Sequence, residues 1–197
     1  VSRHNAQPAC GAGSVSVEQA NAIDEKKASR SMRVKAQLSA SEDHAFAMRD
    51  GRHSEAAADI ARGTMRLLAG LGMTPVLEFT LANWRRADVA AIGAKGEIWI
   101  IEVKSSRVDF ETDQKWPDYL DFCDRFLFAV EPAFPTEILP RETGLILADR
   151  YGGEIVREAP EVRLSGSRRR AMTLRLARTA AQRLHGALDP EFTALEI

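Results

Sequence analysis

The run Ile98-Trp99-Ile100-Ile101-Glu102-Val103-Lys104 constrains this chain more than any other. Its β-branched and aromatic residues read as a strand bordering an apolar interior. An acid and an amine at the end of such a strand are costly. They must be paired, hydrated or bound to a cation.

The preceding residues say what faces that strand. Residues 86–93 and 97–106 read as two strands joined by Ala94-Lys95-Gly96. Three loop residues with glycine last suit a hairpin closed by a type I turn and a G1 bulge. If Gly93 faces Glu97, paired residue numbers sum to 190, and Asp88 lies opposite Glu102. Opposed Cβ atoms in such a pair are about 4.5–5.5 Å apart, and Lys104, two residues beyond Glu102, projects from the same face. The convergence depends on the turn, because a slip of one residue would move Glu102 and Lys104 together away from Asp88.

Around the hairpin the pattern predicts a helix from residue 55, capped by Ser54 and ending near Gly70 and Gly72, with Ala57, Ile60, Ala61, Thr64, Leu67 and Leu68 on one buried stripe. A strand follows at 75–80. Residues 109–124 read as a helix with Trp116, Tyr119, Leu120 and Cys123 at helical spacing; Pro117 either opens a late-starting helix or bends a longer one. Strands are expected at 125–130, 144–149 and 154–157, and an amphipathic helix at 167–187 with Met172, Leu174, Leu176, Ala177, Ala180 and Leu184 on its apolar side. The fold class is therefore α/β with the core order αβββαβ, a mixed central sheet flanked by helices, and an additional C-terminal helix. One domain spans 51–190. Residues 1–50 lack periodicity and read as a disordered N-terminal arm, with Met32 as a candidate biological start, and 191–197 as a tail.

A length of 197 residues suits one such domain. Cys10 and Cys123 form no disulfide framework, and the four scattered histidines have no zinc-ligand spacing. No apolar run approaches the roughly 18 residues of a membrane span, and the start shows no export signal, so no membrane partner and a cytoplasmic location are expected. The net charge of −1 hides an asymmetry: residues 163–185 hold seven arginines and no carboxylate. Such a patch attracts phosphate.

Two carboxylates, Asp88 and Glu102, offer hard oxygen ligands that suit Mg²⁺ or Mn²⁺. A metal there polarises a phosphodiester and lowers the pKa of a bound water, while Lys104 orients that water or offsets charge on the phosphate. Gln114 and Lys115 are placed to meet the phosphate from the next helix. Catalytic candidates are thus Asp88, Glu102, Lys104 and Gln114; candidate DNA contacts are Arg86, Ser105, Lys115, Arg168, Arg169, Arg170 and Arg175. Each feature also has a plainer reading. Glu102 and Lys104 fit an ordinary ion pair on a sheet face, and the arginine-rich helix fits a solvated one. Trp116 and Tyr119 fit the core. Glu55 and Asp59 could add an acid to the site, or complement the helix dipole.

The stretches Arg86-Ala-Asp-Val, Ile101-Glu-Val-Lys-Ser-Ser and Asp113-Gln-Lys-Trp-Pro-Asp-Tyr-Leu-Asp-Phe-Cys-Asp-Arg-Phe resemble the MmcB-like DNA repair protein family of bacteria, and more broadly the PD-(D/E)XK nuclease superfamily. The resemblance covers about residues 50–187. By position, Asp88 resembles the first motif acid, Glu102 and Lys104 the acid and lysine of the second, and Gln114 and Tyr119 the polar positions on the following helix. Ala87 stands where the superfamily has its proline. The resemblance implies a restriction-endonuclease-like fold, a Mg²⁺-dependent nuclease site, DNA as partner alongside other repair proteins, and association with the nucleoid when bound to DNA. It also admits a catalytically inactive DNA-binding or scaffold protein, since relatives can keep the fold and only bind.

Overall fold

The computed structural model describes residues 55–189. The expected arm, the Met32 start, Cys10, the Ser54 cap and the 191–197 tail lie outside the described residues.

Helix α1 (Glu55–Gly70) buries Ala57, Ile60, Ala61, Thr64 and Leu68, the expected stripe with Leu67 at its margin. Gly72, at φ +77°, ends it. Met73 N–H donates to Leu68 O and Gly72 N–H to Ala69 O, both at 3.0 Å, the paired bonds of a Schellman cap.

Six strands follow: β1 (Thr74–Thr80), β2 (Arg86–Ile92), β3 (Ile98–Lys104), β4 (Arg125–Val130), β5 (Gly144–Ala148) and β6 (Gly153–Arg157). They form one mixed sheet in sequence order. β1–β2, β2–β3 and β5–β6 pair antiparallel, whereas β3–β4 and β4–β5 are parallel. All six expected strands are present with small shifts at their ends.

The expected continuous helix at 109–124 is not. Helix α2 (Arg107–Thr112) is capped by Ser106, whose Oγ accepts Asp109 N–H at 3.1 Å. It stops at Asp113, and a 3-10 helix (Trp116–Phe122) follows with Pro117 in its first turn. The physical reason is Pro117. A continuous α-helix needs its missing N–H to bond the Asp113 carbonyl, against which the ring would clash. Helix α3 (Gly166–Leu188) closes the described chain, capped by Ser165.

Strand alternation sends side chains to two cores. Val89, Ala91, Ile101, Val103 and Leu127 pack with α1 on one face. Ala90, Ile98, Ile100, Phe126 and Phe128 pack with Phe110 of α2, Tyr119 of the 3-10 helix, and Met172 and Leu176 of α3 on the other. Glu102 and Lys104 share the parity of Ile98 and Ile100, so they end that second face. Among the described residues no helix is long and apolar enough to cross a membrane.

Candidate functional site

The β2–β3 hairpin closes as its loop sequence dictates. Gly96 N–H donates to Gly93 O and Gly93 N–H to Glu97 O, both at 2.9 Å, with Gly96 at φ +81°. The ladder pairs Val89 with Ile101 and Ile92 with Ile98, each summing to 190. The paired ladder ends at Val89 and Ile101, one residue short of Asp88 and Glu102, and alternation breaks there, since Ala87 packs in the core opposite to that of Val89. There the side chain replaces the ladder: Asp88 Oδ2 accepts the main-chain N–H of Val103 at 2.7 Å.

Glu102 is 5% exposed and Lys104 2%. Lys104 Nζ lies 3.3 Å from Glu102 Oε1 and 3.2 Å from Asp113 Oδ2. Glu102 Oε2 is buried and makes no well-formed hydrogen bond among the described residues, with the Tyr119 hydroxyl beside the Glu102 carboxyl. A cleft of about 830 Å³ opens over this group, lined also by Arg86, Ser105, Lys115 and Tyr119.

Burial pushes the Glu102 carboxyl up to about 8, and the charge of Asp88 adds to the rise while Lys104 opposes it. Burial works against the Lys104 charge, but Glu102, Asp113 and Asp109 outweigh it, so Lys104 is held above its ordinary range as an ammonium. Asp113 shows the reverse balance: burial would raise it, and Lys104 brings it below the usual carboxylate range. Tyr119 is raised by burial and by the carboxylates of Glu102, Asp88 and Asp113. It therefore stays a neutral phenol, and its hydroxyl donates to Arg86 O at 3.1 Å.

The structure thus brings Asp88, Glu102 and Lys104 together, with Arg86, Ser105 and Lys115 in the same cleft. Arg86 is ion-paired to Glu78, Ser105 donates through N–H and Oγ to Asp109, and Lys115 Nζ lies 3.9 Å from Asp113 Oδ1. Gln114 is not brought in. Its Nε2 donates to Phe110 O at 2.9 Å, satisfying a carbonyl near the end of α2. Ala57 is the α1 residue that reaches the cleft, while Asp59 lies 3.8 Å from Arg150.

The arginines of α3 lie away from the cleft lining. Arg168 pairs with Asp121 at 2.6 Å. Arg169 donates from both terminal nitrogens to Asp124, at 2.7 and 2.6 Å, and to Gly96 O. Arg175 Nε donates to Thr80 O at 2.7 Å. Arg170 is exposed. A run of arginines reports its charge but not its partners.

Two cleft residues carry no periodic signal in the sequence. Asp113 is freed to reach Lys104 because α2 stops there, a consequence of Pro117. Trp84, in the β1–β2 turn, is 86% exposed at φ +64°. A non-glycine residue held there costs about 1–2 kcal/mol.

Among the described residues, no group of three or more His, Cys, Asp or Glu side chains is arranged to hold a metal ion.

No curated protein matches the chain. A solved structure does: the SPO1766 protein of unknown function from Silicibacter pomeroyi is 46% identical, with a TM-score of 0.70, and the match covers 73% of this chain and 99% of that one. A family model described as DNA repair protein MmcB-like matches residues 44–191. Three-quarters of the sequence lies within that match, and the Asp88, Glu102 and Lys104 cleft lies inside it: the chain belongs to the MmcB-like DNA repair protein family.

Proposed function

We propose that this chain serves DNA repair as a divalent-metal-dependent DNA phosphodiester hydrolase built on a restriction-endonuclease-like core. The observation that carries the reading is the buried Oε2 of Glu102, which makes no well-formed hydrogen bond among the described residues, beside the Lys104 ammonium and in the same cleft as Asp88. A carboxylate oxygen without a well-formed partner at that depth is costly unless a cation meets it. Two protein carboxylates form the donor set that suits Mg²⁺, which keeps several waters and is completed by substrate phosphate. The residues fit Mg²⁺ or Mn²⁺, held by Asp88 and Glu102. Bound there, the ion supplies Lewis-acid polarisation of the phosphate and a water of lowered pKa.

The remaining roles belong to the chain. The Val103 N–H fixes the Asp88 carboxylate in place. Lys104, kept charged and steered by Asp113, offsets negative charge building on the phosphate and orients the attacking water. Lys115, with a side chain 58% exposed on the cleft rim, meets the DNA backbone.

The test is incubation of the folded protein with single-stranded, gapped and continuous duplex DNA in Mg²⁺ or Mn²⁺. Cleavage that stops with chelator, and that Asp88→Asn and Lys104→Ala each abolish while DNA binding persists, is the expected result. A wild-type protein that binds DNA but cuts none of these with either ion would overturn the hydrolase reading in favour of a DNA-binding scaffold.

A further inference from the structure

Two hairpins flank β2, and both close with the same turn. At 93–97, the third loop residue, Gly96, donates its N–H to Gly93 O, and Gly93 N–H donates to Glu97 O. At 81–85, Trp84 N–H donates to Leu81 O at 3.2 Å and Leu81 N–H to Arg85 O at 2.7 Å. The third residue is left-handed in each, Gly96 at φ +81° and Trp84 at φ +64°. Glycine is the residue this position favours. One hairpin has it; the other holds a tryptophan.

Neither burial nor turn geometry accounts for the indole. At 86%, Trp84 is more exposed than any other large hydrophobic side chain among the described residues. The turn that carries it is braced on both sides. Asn83 Nδ2 donates to Asp118 O at 3.1 Å, Asn83 Oδ1 accepts Arg85 N–H at 3.1 Å, and Arg85 Nε donates to Asp118 Oδ2 at 2.9 Å. The ring is therefore displayed from a fixed base. It lines the same cleft as Asp88, Glu102 and Lys115.

We propose that Trp84 is the platform on which an unpaired nucleobase stacks at the mouth of the cleft, so that the DNA taken by this site carries a single-stranded segment. The inference rests on the DNA reading above and adds the substrate class. In continuous duplex both faces of each base are covered by its neighbours. An unpaired base offers a face, and an indole accepts any of the four without reading sequence. A phosphate of the same strand then lies over polar groups of the cleft, where Lys115 meets it.

The experiment uses the full chain in chelator, so that binding is measured without cleavage, with oligo(dT) and a blunt duplex of equal length as probes. Trp84→Ala should weaken oligo(dT) binding about 5- to 100-fold while changing duplex binding by less than about twofold, and Trp84→Phe should retain most of the affinity. Oligo(dT) should quench wild-type tryptophan fluorescence, and the quench should vanish in Trp84→Ala although Trp99 and Trp116 remain. Trp84→Gly separates folding from binding. Glycine suits the left-handed position, so this variant should melt no lower than wild type yet lose oligo(dT) as Trp84→Ala does. Wild-type affinity for oligo(dT) in both variants, or equal losses for oligo(dT) and duplex, overturns the inference alone. Absence of wild-type binding to either DNA overturns it together with the DNA reading.

Discussion

Lys104 Nζ lies 3.2 Å from Asp113 Oδ2, which ties the end of β3 to the residue at which α2 gives way. The contact sets where the ammonium points. Without it, Glu102 Oε1 at 3.3 Å would be the remaining carboxylate partner among the ion pairs of Lys104. Asp113→Asn keeps an acceptor oxygen but removes the charge. In the proposed reaction its cleavage rate should fall about 10-fold, with DNA affinity unchanged and the melting temperature lowered slightly, because the buried Lys104 ammonium loses one of its two paired charges. Lys104→Ala should cost far more. A rate equal to wild type in Asp113→Asn would remove Asp113 from the role of positioning residue.

Glu102 gives the fold a pH dependence in the absence of metal. Burial first, then Asp88, lifts its carboxyl from 4.5 to about 8. Between those values the native chain holds a proton that the unfolded chain releases, so stability falls as pH rises across the window. Glu102→Gln, similar in shape and neutral, removes that slope. Its urea unfolding free energy should match wild type near pH 5 and exceed it by about 1–3 kcal/mol at pH 8. Added Mn²⁺ should then stabilise wild type at pH 8 and leave Glu102→Gln unmoved. Parallel pH profiles for the two proteins would refute this.

The first of these groups was legible in the sequence, and the second half of the Lys104 contact was not. The β2–β3 register over Val89–Ile92 follows from one glycine, because a three-residue loop ending in Gly96 permits few geometries, and it brings Glu102 and Lys104 to the end of the hairpin where Asp88 bonds the Val103 N–H instead of continuing the ladder. Apolar spacing in 109–124 groups Trp116, Tyr119, Leu120 and Cys123 on one side; Tyr119 and Cys123 are buried and Trp116 half-buried, but Leu120 is 44% exposed. That spacing does not fix the backbone, since a 3-10 turn can bury Tyr119 and Cys123 as well, and so it hid the break that turns Asp113 inward. Ion pairing over long separation is equally invisible. Nothing local to Arg169 announces Asp124, 45 residues earlier. Trp84 is hidden for the opposite reason: it breaks the preference of its turn, and pattern reading finds only what obeys such preferences.

Asp124 and Arg169 anchor α3 to the start of β3. The Asp124 carboxylate, on a residue 3% exposed, accepts Ile98 N–H at 2.7 Å, Leu164 N–H at 2.8 Å and both Arg169 terminal nitrogens. Burial alone would raise its pKa, but the Arg169 and main-chain hydrogen bonds outweigh it and hold it below 3.8. With the folded value depressed, its stabilising contribution is complete above the unfolded value and is lost as pH falls through the folded one. Arg169→Ala leaves a buried carboxylate short of its counter-charge and should cost about 2–4 kcal/mol at pH 7, read by urea unfolding. Asp124→Asn should show a shallower loss of stability below pH 4 than wild type. An Arg169→Ala protein as stable as wild type would contradict an anchoring role.

Under the proposed DNA reading, the same pairing bears on which cations meet the backbone. Arg168 and Arg169 are bonded to Asp121 and Asp124, and Arg175 to the Thr80 carbonyl, whereas the Lys115 ammonium, on a side chain 58% exposed, sits on the cleft rim with Asp113 Oδ1 at 3.9 Å. A lysine that contacts one phosphate of a single strand contributes about 0.7 to the slope of log affinity against log salt. Lys115→Ala should therefore lower that slope for oligo(dT) by about 0.7, without moving the melting temperature. Arg168→Ala and Arg175→Ala should leave it within error of wild type, because their guanidinium groups already serve internal acceptors. Arg170, exposed on α3, is the discriminating residue of the basic helix. A slope reduced by Arg170→Ala as much as by Lys115→Ala would extend the DNA track from the cleft onto α3, and a slope reduced by neither would place the phosphate contacts elsewhere.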